Sequence, residues 1–260
     1  MRYFMLLCVN VSNSKITMGV FDGEELMLKT SVSAAVGKTT TEYAVLFRSV
    51  FELHNFDTAK IQGVIIACVV PALTAAVRDA LSFIYKGRIF VVGPKLKNGL
   101  KIKSENPSQI GASLVCQSVA LTDKYTMPCL LISMGTALSM FALDRTGTFI
   151  GGAILPGIKM SAKALSEHTA QLPQIDLTQK PHGVIGNNTV QNVQSGLIIG
   201  TACAIDGMIE RFKAELGEDL TCVATGDISD VVLNFCKSEI VYDENLVLEG
   251  LKKIYYKNVK

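Results

Sequence analysis

Two short stretches of Ser, Thr, Asn and Gly, each directly after an apolar run, contain the residue types that could do chemistry. The first is Val9 to Ile16 (VNVSNSKI) and the second is Ile132 to Ser139 (ISMGTALS). A strand ending in a turn of small residues exposes successive backbone N–H groups, which form a concavity for the phosphates of a nucleotide. In the first stretch Asn10, Ser12, Asn13 and Ser14 supply amides and hydroxyls, and Lys15 supplies a charge that can neutralise phosphate without a metal. In the second, Gly135 and Thr136 offer backbone and hydroxyl donors. The paired Gly151 and Gly152 could admit a nucleotide closely. Each residue also has a plain structural use: Asn10 can satisfy turn N–H groups, Lys15 can be a solvated hairpin lysine, and the glycines can serve tight turns. Neither stretch contains a carboxylate, and His54, His168 and His182 show no metal-ligand spacing.

The elements that must position these turns repeat along the chain. Leu6 to Asn10 overlays Cys129 to Ser133 without a gap, so Asn10 lies opposite Ser133. The first half reads as strands near Phe4 to Val9, Lys15 to Phe21 and Glu25 to Ser31, with a hairpin at Asp22-Gly23. A helix from about Thr41 to His54, a buried strand at Gly63 to Val70, a helix after Pro71 and a strand at Arg88 to Val92 complete it. The second half opens with strands at Cys129 to Ile132, Ala137 to Leu143 and Thr148 to Ile154. Helices follow at Lys159 to Leu165 and Thr189 to Glu215, then a strand at Thr221 to Ala224 and a last helix from about Glu244. Three strands followed by interleaved helices, twice over, predict an α/β protein of two domains, residues 1–115 and 116–260, with a nucleotide cleft between them.

Composition excludes several function classes. With 49% hydrophobic residues in 260, the chain can fill a substantial core, and a net charge of +2 makes nucleic acid an unexpected partner. The basic tail Lys252 to Lys260 reads as a solvated terminal helix. Seven cysteines, odd in number and without CxxC spacing, read as buried thiols in a reducing cytoplasm. The uncharged stretch Tyr125 to Leu143 is interrupted by Pro128, Ser133, Gly135, Thr136 and Ser139, which predicts a core hairpin and no membrane partner.

Many short motifs in order carry a resemblance over nearly the whole chain. They include Glu42-Tyr43, Val69-Val70-Pro71, Val92-Gly93-Pro94, Asn106-Pro107, Gly111-Ala112 and Gly135-Thr136-Ala137. Gly151-Gly152-Ala153-Ile154 with Pro156-Gly157, Asn188-Thr189, Gln194-Ser195-Gly196, Asp206-Gly207 and Ala224-Thr225-Gly226 continue the series. In these residues the chain resembles the type III pantothenate kinases of the acetate kinase, sugar kinase, Hsp70 and actin superfamily. The resemblance implies duplicated ribonuclease H-like (actin-like ATPase) domains, ATP with Mg²⁺ and a monovalent cation as cofactors, and pantothenate as acceptor in the first step of coenzyme A synthesis. It also implies a dimer, either of identical chains or with an active paralogue.

The same resemblance places nucleotide binding at Asn10, Ser12, Asn13, Ser14, Gly135, Thr136, Gly151, Gly152 and Gly226, with Lys15 a gain of this chain's first loop, and substrate binding at Ser104, Gly111, Ala112, Leu114 and Thr189. It implies aspartate at three positions occupied here by Asn10, Ser113 and Ser133. Asn10 and Ser133 fall at the family's metal positions and Ser113 at that of its general base. Neutral Asn or Ser cannot neutralise a metal or act as a base near pH 7. A catalytically impaired relative that keeps a nucleotide or anion site and regulates or scaffolds a partner is therefore the first expectation. An active kinase with carboxylates relocated to Glu42, Asp206 or Asp227, and a structural protein that binds no nucleotide, are the alternatives.

Overall fold

The computed structural model describes residues 4–227 and 229–259. The chain divides into two compact units. The first comprises the described parts of Met1–Leu100, Asn106–Ala120 and Leu246–Lys260, and the second those of Lys101–Glu105 and Leu121–Asn245.

In the first unit β1 (Met5–Val11), β2 (Lys15–Asp22) and β3 (Glu25–Ser33) form an antiparallel meander, turned at Gly23 with φ +59°. This positive φ is what the predicted hairpin requires of its glycine. There follow α1 (Thr40–Leu53), β4 (Ile61–Cys68), α2 (Pro71–Leu81), β5 (Ile89–Val91) and α3 (Ala112–Lys124). β4 runs parallel to β1 and β5 parallel to β4, giving the sheet order β3-β2-β1-β4-β5. Alternate residues of β1 face opposite sides. Leu7, Val9 and Val11 pack with Phe47 and Phe51 of α1 and Val77 and Leu81 of α2, while Leu6 and Cys8 pack with Val115, Cys116 and Val119 of α3. Burial on both faces explains why β1 reads as a continuous apolar run.

The second unit repeats this plan with β6 (Cys129–Met134), β7 (Ala137–Leu143), β8 (Phe149–Pro156), α4 (Ile158–His168), α5 (Thr189–Leu216), β9 (Thr221–Gly226), α6 (Ser229–Leu233) and β10 (Val241–Tyr242). Its sheet order is β10-β9-β6-β7-β8, with β6–β7 and β7–β8 antiparallel and β6–β9 and β9–β10 parallel. Ile198, Ala202, Ile205 and Ile209, on one face of α5, pack with Leu130, Ile132 and Met134 of β6. The uncharged stretch is the β6–β7 hairpin, and among the described residues no helix is long and apolar enough to cross a membrane.

The last helix, α7 (Leu246–Asn258), returns to the first unit. The boundary expected at 115/116 lies inside α3, because α3 and α7 together cover one face of the first sheet. The two helices touch at Gly250, where a Cβ would stand 1.8 Å from the Cys116 carbonyl oxygen. The expectation of a solvated basic tail needs correction at its start, whereas Tyr256, Lys257 and Val259 are exposed. Leu251, Lys252, Ile254 and Tyr255 are buried, and Lys260 lies outside the described residues. The Lys252 stem lies across Phe21, with Nζ 4.8 Å from the ring centroid, and Nζ donates to Glu24 Oε2 at 2.6 Å. A long aliphatic stem with one charged tip allows such burial.

In the second unit, to which the last turn of α3 from Leu121 onward belongs, Asp243 ties β10 to that turn. Its Oδ2 accepts from Lys124 Nζ at 2.6 Å and Tyr125 Oη at 2.9 Å, and its Oδ1 accepts from the Asn245 amide at 3.0 Å. Burial alone would raise this carboxyl, but the donors from Lys124, Tyr125 and Asn245 outweigh it and hold the group below the usual carboxylate range.

Two stability predictions follow from these contacts. Gly250→Ala should lower the unfolding free energy by about 2 kcal/mol in urea titration, since α3 and α7 must separate to admit a methyl group. Asp243→Asn should cost about 1–3 kcal/mol at neutral pH. A carboxyl depressed in the folded state stabilises above its unfolded value and loses that contribution as pH falls. The gap between wild type and Asp243→Asn should therefore be full above about pH 5 and close towards acid in matched denaturation curves.

Candidate functional site

Two clusters of small polar residues form, one in each unit, at equivalent strand ends. Asn10 is the penultimate residue of β1, its backbone in register with Thr17 of β2 and Ala67 of β4. Ser133 is the penultimate residue of β6, in register with Ser139 of β7 and Thr225 of β9. The predicted overlay of these two positions is thus a property of the fold.

In the first unit the turn after β1 is closed by Ser12. Its amide and hydroxyl donate to the Lys15 carbonyl at 2.8 and 2.9 Å, and its Oγ accepts from the Lys15 amide at 3.2 Å. Asn13 and Ser14 are exposed at the tip, and the Ser14 carbonyl accepts from the Ala34 amide. Asn10 is not used for turn closure. Its Oδ1 accepts a 2.6 Å hydrogen bond from the hydroxyl of Ser113, 103 residues away in the first turn of α3. Gly111, Ala112 and Leu114 flank Ser113, all half-buried. An added Cβ at Gly111 would lie 3.5 Å from Val69 Cγ1, ordinary contact distance, so packing does not demand glycine there.

The second unit's cluster centres on the turn between β6 and β7. The Gly135 amide donates to the Ala137 carbonyl at 3.0 Å, and the Thr136 carbonyl accepts from the Gly157 amide at 3.1 Å. Gly157 and Gly226 are glycine for steric reasons: a Cβ on them would stand 2.3 Å from the Gly135 oxygen and 2.0 Å from the Met134 oxygen, respectively. Gly226 also adopts φ +118°, where L side chains are strained. The glycine pair splits in role. Gly152 lets β8 approach β7, since its Cβ would lie 1.9 Å from the Met140 oxygen, whereas Gly151, at φ +121°, has open space around its Cβ position beside the β7–β8 register shift.

The remaining predicted positions lie apart. Ser104 is exposed in the segment 101–105, whose backbone bonds to Phe149 through Lys101 and Lys103. Thr189 opens α5 but does not cap it. Asn188 does, its Oδ1 accepting from the Gln191 amide at 3.0 Å. Thr189 instead lines an apolar groove of about 560 Å³ between α4 and α5, with Leu165, Leu172, Val193 and Leu197. Sequence reasoning missed this groove, which forms only where α4 and the segment at Leu172 meet α5.

Glu42 and Asp206, two carboxylates considered as replacements, have structural partners. Glu42 closes a capping box on α1, its Oε2 accepting from the Thr39 amide and hydroxyl at 2.7 and 2.8 Å, and those bonds hold its carboxyl below the ordinary range. Asp206 accepts from the amides of Lys237 and Ser238, each at 2.9 Å. Partial burial would raise it, but the amides prevail and lower it. A depressed carboxyl is a poorer base near neutral pH. Asp227 is exposed, immediately after Gly226. Among the described residues no three His, Cys, Asp or Glu side chains are grouped to hold a metal ion. Four of the seven expected buried thiols are buried, Cys68 and Cys236 are partly so, and Cys203 is exposed on α5. Burial pushes Cys129 and Cys236 to about 12 and Cys222 to about 11, leaving them protonated at neutral pH.

Duplicated sheets of this order define a two-domain α/β fold of the actin-like ATPase and sugar kinase class. Component A of the (R)-2-hydroxyglutaryl-CoA dehydratase of Acidaminococcus fermentans superposes with a TM-score of 0.54 at 13% identity, covering 99% of this chain and 100% of that one. The ROK hexokinase of Thermus thermophilus gives 0.52 at 10% identity, over 98% and 99%. The type III pantothenate kinase family model matches residues 6–211. The type III pantothenate kinase of Exiguobacterium sp. is 37% identical over 256 residues, 98% of this chain and 100% of that protein. That of Geobacter sulfurreducens is 36% identical over 255 residues, 98% and 99%. The chain belongs to the type III pantothenate kinase family.

The steric analysis separates structural from permissive glycines. Gly226→Ala should lower stability by about 2 kcal/mol or more, whereas Gly135→Ala, whose added Cβ would find its nearest atom 3.9 Å away, should stay within about 0.5 kcal/mol of wild type. Thermal melts of the two variants side by side check this. Equal losses would mean that the β6–β7 turn cannot be read from backbone clearance.

Proposed function

We propose that this chain is a catalytically impaired member of its family that retains a nucleotide site and acts as a regulatory or scaffolding subunit. The observation that carries the reading is the Asn10–Ser113 hydrogen bond. It joins the two first-unit positions at which the resemblance implies carboxylates, one for Mg²⁺ and one for the base. A serine hydroxyl held as donor to an amide oxygen has neither the charge nor the basicity to take the acceptor's proton. Ser133, the third such position, is likewise neutral.

ATP is the nucleotide this reading favours, and pantothenate or a related small molecule is the second ligand, taken at Gly111, Ala112, Leu114, Ser104 and Thr189 as the resemblance implies. Leu114, standing where the resemblance implies arginine, removes a charge-assisted partner for a carboxylate ligand, which favours a less anionic molecule. A cytoplasmic dimer, of this chain or with an active paralogue, is the assembly proposed.

The test is ATP-dependent phosphorylation of pantothenate by the purified protein, beside the triple variant Asn10→Asp, Ser113→Asp, Ser133→Asp. General-base loss alone removes about 10² to 10⁴ in rate. Wild type should therefore fall at least that far below the roughly 1–100 per second typical of kinases, and the triple variant should recover part of the deficit. Turnover at ordinary kinase rates in the unmodified chain would refute impairment.

A further inference from the structure

A carboxylate beside a nucleotide's phosphates is repelled unless a cation bridges the two. Mg²⁺ does so through all-oxygen octahedral coordination, drawing on one or two carboxylates together with phosphate oxygens and water. The end of β1 does not present that donor set. Asn10 is neutral, and its single side-chain oxygen already accepts the Ser113 hydroxyl at 2.6 Å, which leaves it one lone pair and no charge to offer a cation. Ser12 Oγ, the next oxygen along, donates to the Lys15 carbonyl and accepts from the Lys15 amide. The rest of the Asn10 side chain is an NH₂ group, which donates to anions and cannot ligate a cation. Residues 10–15 and Ser113 together carry a formal charge of +1, from Lys15. Aspartates at 10 and 113 would reverse its sign. The divalent cation implied by the family thus does not fit this strand end.

From this donor set and charge balance we infer that the first unit binds nucleoside di- or triphosphate as the uncomplexed anion, without a divalent cation. The inference rests on the retained nucleotide site proposed above and narrows its ligand to the metal-free form. Asn10 is a positioning residue in this scheme. Ser113 binds its Oδ1, which leaves Nδ2 as the donor for an anion, and since the Ser12 and Lys15 amides close the turn, those of Asn13 and Ser14 at its exposed tip supply the remaining partners. The loop so built resembles an anion nest more than a metal clamp.

Isothermal titration of the full chain with ADP, once in EDTA and once in excess Mg²⁺, tests the inference. Wild-type affinity should differ by less than about threefold between the two conditions. The double variant Asn10→Asp, Ser113→Asp should bind at least about tenfold more weakly in EDTA and recover on addition of Mg²⁺. If thermal melting shows that the double variant is unfolded, Asn10→Asp alone, which keeps the Ser113 donor, should show the same dependence with a smaller shift. A tenfold or greater gain by wild type on adding Mg²⁺ overturns metal independence while leaving the nucleotide site standing. Absence of binding in both conditions overturns the nucleotide site and this inference with it.

Discussion

Both sheets depend on full use of the hydrogen-bonding edges of one central strand each. β1 pairs antiparallel with β2 and parallel with β4, and β6 does the same with β7 and β9. A strand bonded on both sides and covered on both faces has little register freedom, because a one-residue slip would exchange its two buried faces. Its end can therefore hold a side chain at a reproducible place. The antiparallel partner forces a tight turn there, and the parallel partner ends alongside it, so the turn, the neighbouring strand end and a following helix meet at one edge. In the first unit that edge brings together Asn10, Ser12 and Ser113; in the second it brings together Ser133, Gly135 and Gly226.

What the sequence revealed of this arrangement followed from periodicity and turn chemistry. The two meanders, the Asp22-Gly23 hairpin, α1, α2 and the long α5 were legible because apolar spacing, Pro71 at a helix start and small-residue turns are local signals. The helix α3 was not. Its residues Ala112 to Lys124 mix Ser, Cys, Gln and Thr with apolar residues, and its amphipathic stripe makes sense only against the sheet face and α7 that it covers. The short α6 and the two-residue β10 gave no periodic signal for the same reason of length. Lys252 misled because charge was read without its stem, and the stem packs on Phe21.

At the site, composition located the turns but could not pair them. That Asn10 meets Ser113 is a long-range fact, produced by β1 and α3 converging at one sheet edge. Nor could composition separate Gly151 from Gly152. Backbone clearance divides them, since one faces open space and the other a carbonyl of the neighbouring strand. The contact between positions 10 and 113 also removes an electrostatic difficulty. Two carboxylates within hydrogen-bonding reach would resist joint ionisation, whereas an amide and a hydroxyl attract each other whether or not a ligand is present.

The return of α7 to the first unit has a consequence for biosynthesis. Leu248, Leu251 and Ile254 cover a sheet face whose strands are all translated before residues 121–245, yet they emerge after every other described element. Residues 121–245 lie between, and at roughly 5–20 residues per second the ribosome spends on the order of ten seconds on them. During that interval residues 121–245, nearly all of the second unit, can collapse while the part of the first unit's apolar face that α7 covers stays open. That interval is when the growing chain is most in need of a chaperone.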